Sequence, residues 1–323
     1  MIDYSYSILI GDVGGTNSRL ALFDPIKGKI FSLKAYKNRE FFHFEDLLVK
    51  YLSEVRPSCQ PKEAIFALAG PVIKNKATIT NLGWEIGGEK LRRKFNLKRV
   101  YLVNDLEAMA GSVKYLRGKD LFSIRKVKKT RVSSSDVKAF MAIGTGVGIS
   151  LLISLKPLKI LSTEGGHSPF SPADGNEWRF IEFLKSMDRE ITWEEALSGR
   201  GLSAWYEYLY QKKITPEEIT TLALQGEKEA REVILLYFRL LGRKCYEVAV
   251  YFKPLGGIYL AGGVLAGLKE FFNQKEYLQR FEEGYFHSKK LKELLELIPI
   301  ELILHPYPVL LGVQTIIHSQ QGR

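Results

Sequence analysis

Two stretches of this 323-residue chain follow one design. Residues 6–23 (YSILIGDVGGTNSRLALF) and 138–154 (KAFMAIGTGVGISLLIS) each read as an apolar run, a glycine-rich turn and a second apolar run. Short apolar runs bounded by glycine are buried strands, and glycine lets the backbone reverse tightly between them. The first run, from Tyr4 to Asp12, is therefore a core strand rather than a leader. Two such hairpins, far apart in the chain and with few identical residues, predict two α/β halves related by an old duplication.

The sequence around each hairpin extends the pattern. KIFSLKAY (29–36) completes an antiparallel three-strand meander. FEDLLVKYLSEV (44–55) has helical spacing, EAIFALAG (63–70) is a buried strand, GEKLRRKFNL (88–97) a short amphipathic helix, RVYLVND (99–105) a strand and LEAMAGSVKYL (106–116) a helix. Residues 176–252 read as mostly helical, with capping-box starts at Thr192/Glu195 and at Thr215/Pro216/Glu218. GGIYLAGGV (256–264) is a late strand opening onto a helix, and PIELILH (299–305) is the last strand. YPVLLGVQTIIHS (307–319) is a closing helix that packs back on the first half. With a boundary near residues 110 to 116, the expected organisation is a small α/β domain, 1–112 completed by 307–323, and a large α/β domain, 113–306. A cleft is expected between them.

Bulk properties narrow the classes of function. A hydrophobic content of 46% is that of a globular chain. No apolar run reaches a membrane span and no basic leader precedes an apolar stretch, so no membrane partner is expected. Cys59 and Cys245 cannot make a disulfide framework, which fits the reducing cytoplasm. The formal charge of +11 attracts anions, nucleotides among them. The densest basic run is Arg125, Lys126, Lys128, Lys129 and Arg131. It has no interleaved aromatic residues and no nucleic-acid motif around it, so it reads as a solvated loop, with no nucleic-acid partner.

The glycine turns carry the first chemistry. In Gly11-Asp12-Val13-Gly14-Gly15-Thr16-Asn17, adjacent glycines bring backbone N–H groups close to a phosphate. Asp12, at the strand end, suits a Mg²⁺-bound water, and Thr16 and Asn17 offer side-chain hydrogen bonds. The turn is not a P-loop, because no Gly-Lys-Ser/Thr follows. It is not a dinucleotide fingerprint either, because a strand follows it. Gly144-Thr145-Gly146-Val147-Gly148 repeats the logic, and Gly262-Gly263 sits between a strand and a helix. One such turn is an ordinary β-turn; three, each after an apolar strand, suggest a nucleotide lying across a cleft.

Polar residues complete the candidate set. Asp105, at the end of VYLVND, could orient an alcohol and take its proton in phosphoryl transfer. Taken locally, a helix N-cap is the favoured reading of that residue. Glu164 and His167 flank two glycines, which disfavours a helix there. No further Cys or His cluster completes a metal shell. The pair suits a hydroxyl-rich small molecule instead, since a carboxylate accepts and an imidazole donates or accepts. Glu194, before ALSGRGL, is a second such carboxylate or else a first-turn helix charge. His43, His287, His305 and His318 each stand alone.

Taken together, GDVGGTNSRLALFD, AGPV with ITNLGW, VNDLEA, GTGVG, EGGHSPFSP, EALSGRGL, YLAGGV and PVLLGV run in order from about residue 8 to 318. In this the chain resembles the bacterial glucokinase family, within the hexokinase and actin-like ATPase superfamily. The resemblance implies a two-domain ribonuclease H-like fold of α/β class that closes on sugar. It implies ATP with Mg²⁺ as phosphoryl donor, transfer to the 6-hydroxyl of glucose, and a homodimer. It makes Asp105 the catalytic base, and Asn104, Asp105, Glu164, His167 and Glu194 the sugar ligands. Gly11, Asp12, Val13, Gly14, Gly15 and Thr16 become the phosphate loop, and Gly144, Thr145, Gly262 and Gly263 further nucleotide contacts. Mg²⁺ has no direct protein ligand, with Asp12 acting through water, and Asn81 falls near the sugar.

Ser18 stands where the family often has Ala, and Val264-Leu265-Ala266 where a more polar or proline-containing segment is expected. Two distant cysteines cannot form the zinc motif of the related repressor/open-reading-frame/kinase chains, which places the sequence in the other branch. The alternatives are a kinase for mannose, glucosamine or an N-acetyl hexosamine, and a non-catalytic sugar sensor. Such sensors usually carry an N-terminal helix-turn-helix, for which a strand starting near Met1 leaves no room. A third alternative, an actin-like filament subunit, is opposed by the sugar-type residues.

Overall fold

The computed structural model describes residues 7–57, 60–127 and 136–321. Two compact units divide the chain, Met1–Leu116 with Pro306–Arg323, and Arg117–His305. Cys59, Lys128, Lys129 and Arg131 lie outside the described residues.

The first unit runs β1 (Ile8–Val13), β2 (Asn17–Asp24), β3 (Lys29–Lys37), α1 (Phe44–Val55), β4 (Glu63–Leu68), β5 (Lys76–Ile79), β6 (Trp84–Gly87), α2 (Gly88–Lys94), β7 (Arg99–Asn104) and α3 (Asp105–Gly111). Its main sheet has the order β3-β2-β1-β4-β7. The first three strands form the antiparallel meander, and β4 and β7 join parallel to β1. β1 is central and buried on both faces, as its unbroken apolar run requires. One face is covered by α1, whose Phe44, Leu47, Leu48 and Tyr51 recur at helical spacing. They pack with Leu9, Val13, Leu22 and Phe66 in one core. Each such side chain contributes about 1.5–3 kcal/mol by leaving water.

The second unit runs β8 (Leu121–Arg125), β9 (Lys138–Ile143), β10 (Val147–Leu155), β11 (Leu158–Thr163), α4 (Gly175–Ser186), α5 (Trp193–Leu197), α6 (Gly199–Tyr210), α7 (Pro216–Leu224), α8 (Lys228–Phe252), β12 (Ile258–Ala261), α9 (Gly263–Gly267), α10 (Lys275–Tyr285), α11 (Lys292–Glu296) and β13 (Ile300–Ile303). Its sheet order is β11-β10-β9-β12-β13-β8. Again a three-strand antiparallel meander is followed by two parallel strands. β8 is an addition, antiparallel on the outer edge. The hairpins β1–β2 and β9–β10 therefore occupy equivalent places in two sheets of one topology, which is the duplicated design legible in the sequence.

The chain then returns to the first unit as α12 (Pro308–Gln321). α12 packs on α3 through two glycines. A Cβ on Gly312 would collide with the Ala108 carbonyl, and one on Gly111 would lie 2.8 Å from the Gly312 oxygen. Thr315 Oγ1 donates to Gly111 O at 2.7 Å across the same contact.

Some expectations need correction. Thr192 caps α5 by accepting from the Glu195 N–H at 3.3 Å, but the Glu195 carboxylate pairs with Arg189 and Arg200 rather than closing a capping box. Arg125 is not simply a solvated loop residue. It ends β8, its guanidinium lies 4.9 Å from the Phe286 ring centroid, and it donates to Glu296 O at 3.2 Å. Asp105 does not cap its helix; Asn104 does.

Candidate active site

In the first unit, parallel strands bring two candidate elements to one end of the sheet. Val13 pairs with Leu68, and Leu68 pairs with Asn104. The ends of β1 and β7 therefore sit two strand spacings apart, about 10 Å. At the end of β7, Asn104 Oδ1 accepts from the N–H groups of Leu106 and Glu107 at 3.0 and 3.3 Å. Its Nδ2 donates to Gly70 O at 3.0 Å, which leaves one amide hydrogen for another partner. Asp105 follows as the first helical residue, half-buried, with Oδ1 accepting from Leu106 N at 2.9 Å.

At the end of β1, the hairpin turn is held from within. Gly14 N donates to Asn17 O at 3.0 Å. The N–H groups of Gly15 and Thr16 make no hydrogen bond among the described residues, which leaves two donors in a row at the turn. A Cβ on Gly15 would come 2.7 Å from Asn81 Nδ2, so Asn81 flanks this turn. Asp12 is mostly buried and its carboxylate accepts from Arg19 Nη1 at 3.1 Å. Burial pushes the Asp12 carboxyl above the ordinary Asp range, and the Arg19 guanidinium works against that rise.

In the second unit, the segments that carry three candidate side chains meet at Val147, the first residue of β10. Glu194, in the first turn of α5, accepts from Val147 N at 3.0 Å through Oε2 and pairs with Arg200 at 3.2 Å. A Cβ on Gly146 would lie 2.5 Å from that same oxygen, so a side chain there would displace the Glu194 carboxylate. A short 3-10 turn, Gly165–His167, follows Glu164, where no helix was expected. It packs so closely on β10 that a Cβ on Gly166 would collide with the Val147 carbonyl. Glu164 and His167 are both exposed at this turn, and Glu164 O accepts from His167 N at 3.0 Å. Val147 thus contacts the segments that carry Glu164, His167 and Glu194.

The remaining glycines converge beside it. Gly144 O accepts from Gly199 N at 2.9 Å. A Cβ on Gly144 would lie 4.0 Å from Gly263 N. Gly262 adopts φ +107°, a conformation suited to glycine, and a Cβ there would collide with Ile143. The ends of β9 and β12 and the start of α9 are therefore backbone against backbone, with Thr145 exposed at the rim.

A family model described as Glucokinase matches residues 9–320. The chain belongs to the glucokinase family. A glucokinase of Yersinia pestis (strain Pestoides F) is 29% identical over 322 residues, covering 97% of each chain. The crystal structure of a glucokinase from an Antarctic psychrotroph superposes with a TM-score of 0.79 at 25% identity, over 97% of this chain and 99% of that one. The glucokinase of Balamuthia mandrillaris, solved with glucose, shares the fold with a TM-score of 0.80 at 22% identity, over 98% and 94%. Glucokinase-family membership makes this chain an ATP-dependent sugar kinase with the actin-like ATPase fold.

Two residues of this family member were not singled out from sequence. Asn38 is fully buried; its Nδ2 donates to Gly14 O at 2.7 Å and its backbone N–H to Thr16 O at 2.9 Å. Its Oδ1 accepts from Ser18 Oγ at 2.6 Å, so the hydroxyl that stands where the family often has Ala is hydrogen-bonded in the core. Arg19, the partner of Asp12, is the other. No local signal marks Asn38, which meets the glycine turn only after the meander has folded. Asp12 and Arg19 face each other across the hairpin, so a paired-strand register read from residues 8–24 would have found Arg19.

Proposed function

We infer that this chain transfers the γ-phosphoryl group of ATP to the 6-hydroxyl of glucose. The observation that carries the reading is the family match across residues 9–320. Each role would fall to residues described above. The N–H groups of Gly15 and Thr16 would hold phosphate oxygens, as amides in a glycine turn can. Thr145 and the Gly144, Gly262 and Gly263 backbone would contact the rest of the nucleotide. Glu164, His167 and Glu194 would bind sugar hydroxyls, and Asn104 would donate its remaining amide hydrogen to one.

Asp105 would take the proton of the 6-hydroxyl as that oxygen attacks phosphorus. Its place at the start of α3, with Asn104 doing the capping, supports this role. The carboxylate of Asp12 at the end of β1 suits a Mg²⁺ ion carried on the phosphates and reached through water. Bound there, the ion would neutralise charge on the transferring group.

A cytoplasmic homodimer is the proposed setting, checked by light scattering after size exclusion. No helix among the described residues is long and apolar enough to cross a membrane. The deciding assay is formation of glucose 6-phosphate from glucose and Mg-ATP, run beside mannose, glucosamine and N-acetyl hexosamines. A sugar other than glucose with the highest kcat/KM would replace the acceptor, and absence of turnover with every sugar would overturn the reading.

A further inference from the structure

α8 carries a lysine where a helix face is otherwise core. Lys244 is 2% exposed and lies among apolar neighbours such as Tyr237, Leu241 and Cys245. Lysine is rarely buried to this degree unless its charge is paired. Here the ammonium donates to Ser168 Oγ at 2.9 Å and to Glu247 Oε2 at 3.0 Å. Its Nζ also lies 5.2 Å from the Trp193 ring centroid, within cation–π reach.

Both partners lead on to segments that bear proposed sugar ligands. Ser168 directly follows His167, and its hydroxyl donates to Gly165 O at 2.8 Å, which closes the short turn after Glu164. With Lys244 donating to the same oxygen, both the donor and an acceptor site of that hydroxyl are used. Glu247, one helical turn along, accepts from Trp193 Nε1 at 3.0 Å through its other carboxylate oxygen. Trp193 precedes Glu194 in α5, and its backbone N–H donates to Ser168 O at 3.0 Å. The loop Lys244–Ser168–Trp193–Glu247–Lys244 is therefore a closed hydrogen-bonded ring.

We propose that Lys244 is a positioning residue for sugar binding: with Glu247 it clamps the Glu164–His167 turn to the helix that carries Glu194. The proposal rests on the reading of those three residues as sugar ligands. A fixed spacing among them matters because a binding constellation must be held to about half an ångström by groups locked through packing and hydrogen bonds. The buried ion pair itself need not stabilise the fold, since an apolar replacement of a whole buried pair is often neutral. Its selective effect should then lie in substrate binding.

The test compares wild type, K244M and the double variant K244M/E247Q by steady-state kinetics with glucose and Mg-ATP varied separately. The double variant removes both charges but keeps an amide oxygen for the Trp193 N–H, so it leaves no orphaned buried charge. It serves where K244M alone does not fold. The expected result is a glucose KM raised roughly tenfold, with the KM for ATP within about twofold and kcat at saturating glucose within about threefold of wild type. A role confined to stability would lower the melting temperature and leave the glucose KM unchanged; that result in either folded variant overturns the proposal. Equal changes in both KM values overturn it as well. If wild type phosphorylates glucose and the variants keep its KM, this proposal falls alone; a wild type without glucose 6-phosphate formation takes the functional reading down with it.

Discussion

Asn104 caps the helix whose first residue is Asp105. The amide oxygen of Asn104 accepts from two first-turn N–H groups, at 3.0 and 3.3 Å, and its nitrogen is tied to Gly70 O at 3.0 Å. The cap and the carboxylate are thus adjacent residues with separate duties. Substituting Asp105 tests the chemistry with the cap intact, and substituting Asn104 tests the cap.

Asp105→Asn keeps an oxygen for the Leu106 N–H and leaves the cap untouched. It cannot accept a proton at neutral pH. Turnover should fall by at least about a hundredfold, the low end for a positioned base, while the melting temperature stays within a degree or two of wild type. Glucose binding by titration calorimetry should persist. Unchanged kcat in this variant would remove Asp105 from the role of base.

Asn104→Ala should cost stability as well as its proposed contact to the sugar. It strips two N–H groups of their acceptor and leaves Gly70 O without its donor. A cost of about 2 kcal/mol is expected, read as a lower urea midpoint with an unchanged slope. Asn104→Asp restores the accepting oxygen and should recover at least half of the loss. If Asn104→Ala unfolds at the wild-type midpoint, the capping account is wrong.

Much of this architecture was legible because local chemistry and final fold agree. Ile8–Val13 and Lys138–Ile143 are apolar runs ending at glycine, and both became central strands. Thr215, Pro216 and Glu218 form the full capping box that their spacing announced. Other elements depend on partners remote in sequence. β11 alternates half-buried with exposed residues at a sheet edge, and β8 pairs with β13 from the far end of its unit, so neither carries a strong apolar signal of its own. The β5–β6 hairpin is only four residues per strand, too short for periodicity to show.

The site divides along the same line. Glycine turns and a carboxylate after a strand are local features. Asn38, Arg19 and the Lys244–Glu247 pair gain their meaning from contacts that exist only after folding. The capping assignment at Asn104-Asp105 differed by one residue, because both side chains suit an N-cap and only backbone geometry chooses between them.

Gly312 offers a test of packing without chemistry. α12 and α3 meet where the Gly312 Cα approaches the Ala108 carbonyl, so even a methyl group forces the helices apart. Gly312→Ala should gain helix propensity and still lose stability, by about 2–3 kcal/mol, because overpacking outweighs it. Thermal or chemical unfolding measures the balance. A variant as stable as wild type would show that the two helices do not pack as closely as described.

Asp12 should trade stability for activity. Its carboxyl has a pKa raised in the folded state, chiefly by burial, with Arg19 only partly offsetting it. A group of this kind favours the fold while neutral, below its unfolded pKa, and that contribution is lost as pH rises through the folded pKa. At neutral pH the buried Asp12 carboxyl is therefore a burden on the fold, and Asp12→Asn removes the titrating group while keeping a side-chain oxygen for Arg19. Arg19 is itself more than a third exposed, so leaving it without a counter-ion costs little. Asp12→Asn should melt about 1–3 °C above wild type at pH 7, and the gap should close as pH falls below the ordinary Asp range, where the carboxyl is neutral in the unfolded chain as well as in the fold. Turnover with Mg-ATP should drop in the same variant, since an amide interacts less strongly with metal-bound water. Calorimetric scans from pH 3 to 8 on both proteins decide the matter: a gap that is absent at pH 7, or that widens toward acid, contradicts the burial-driven rise at Asp12.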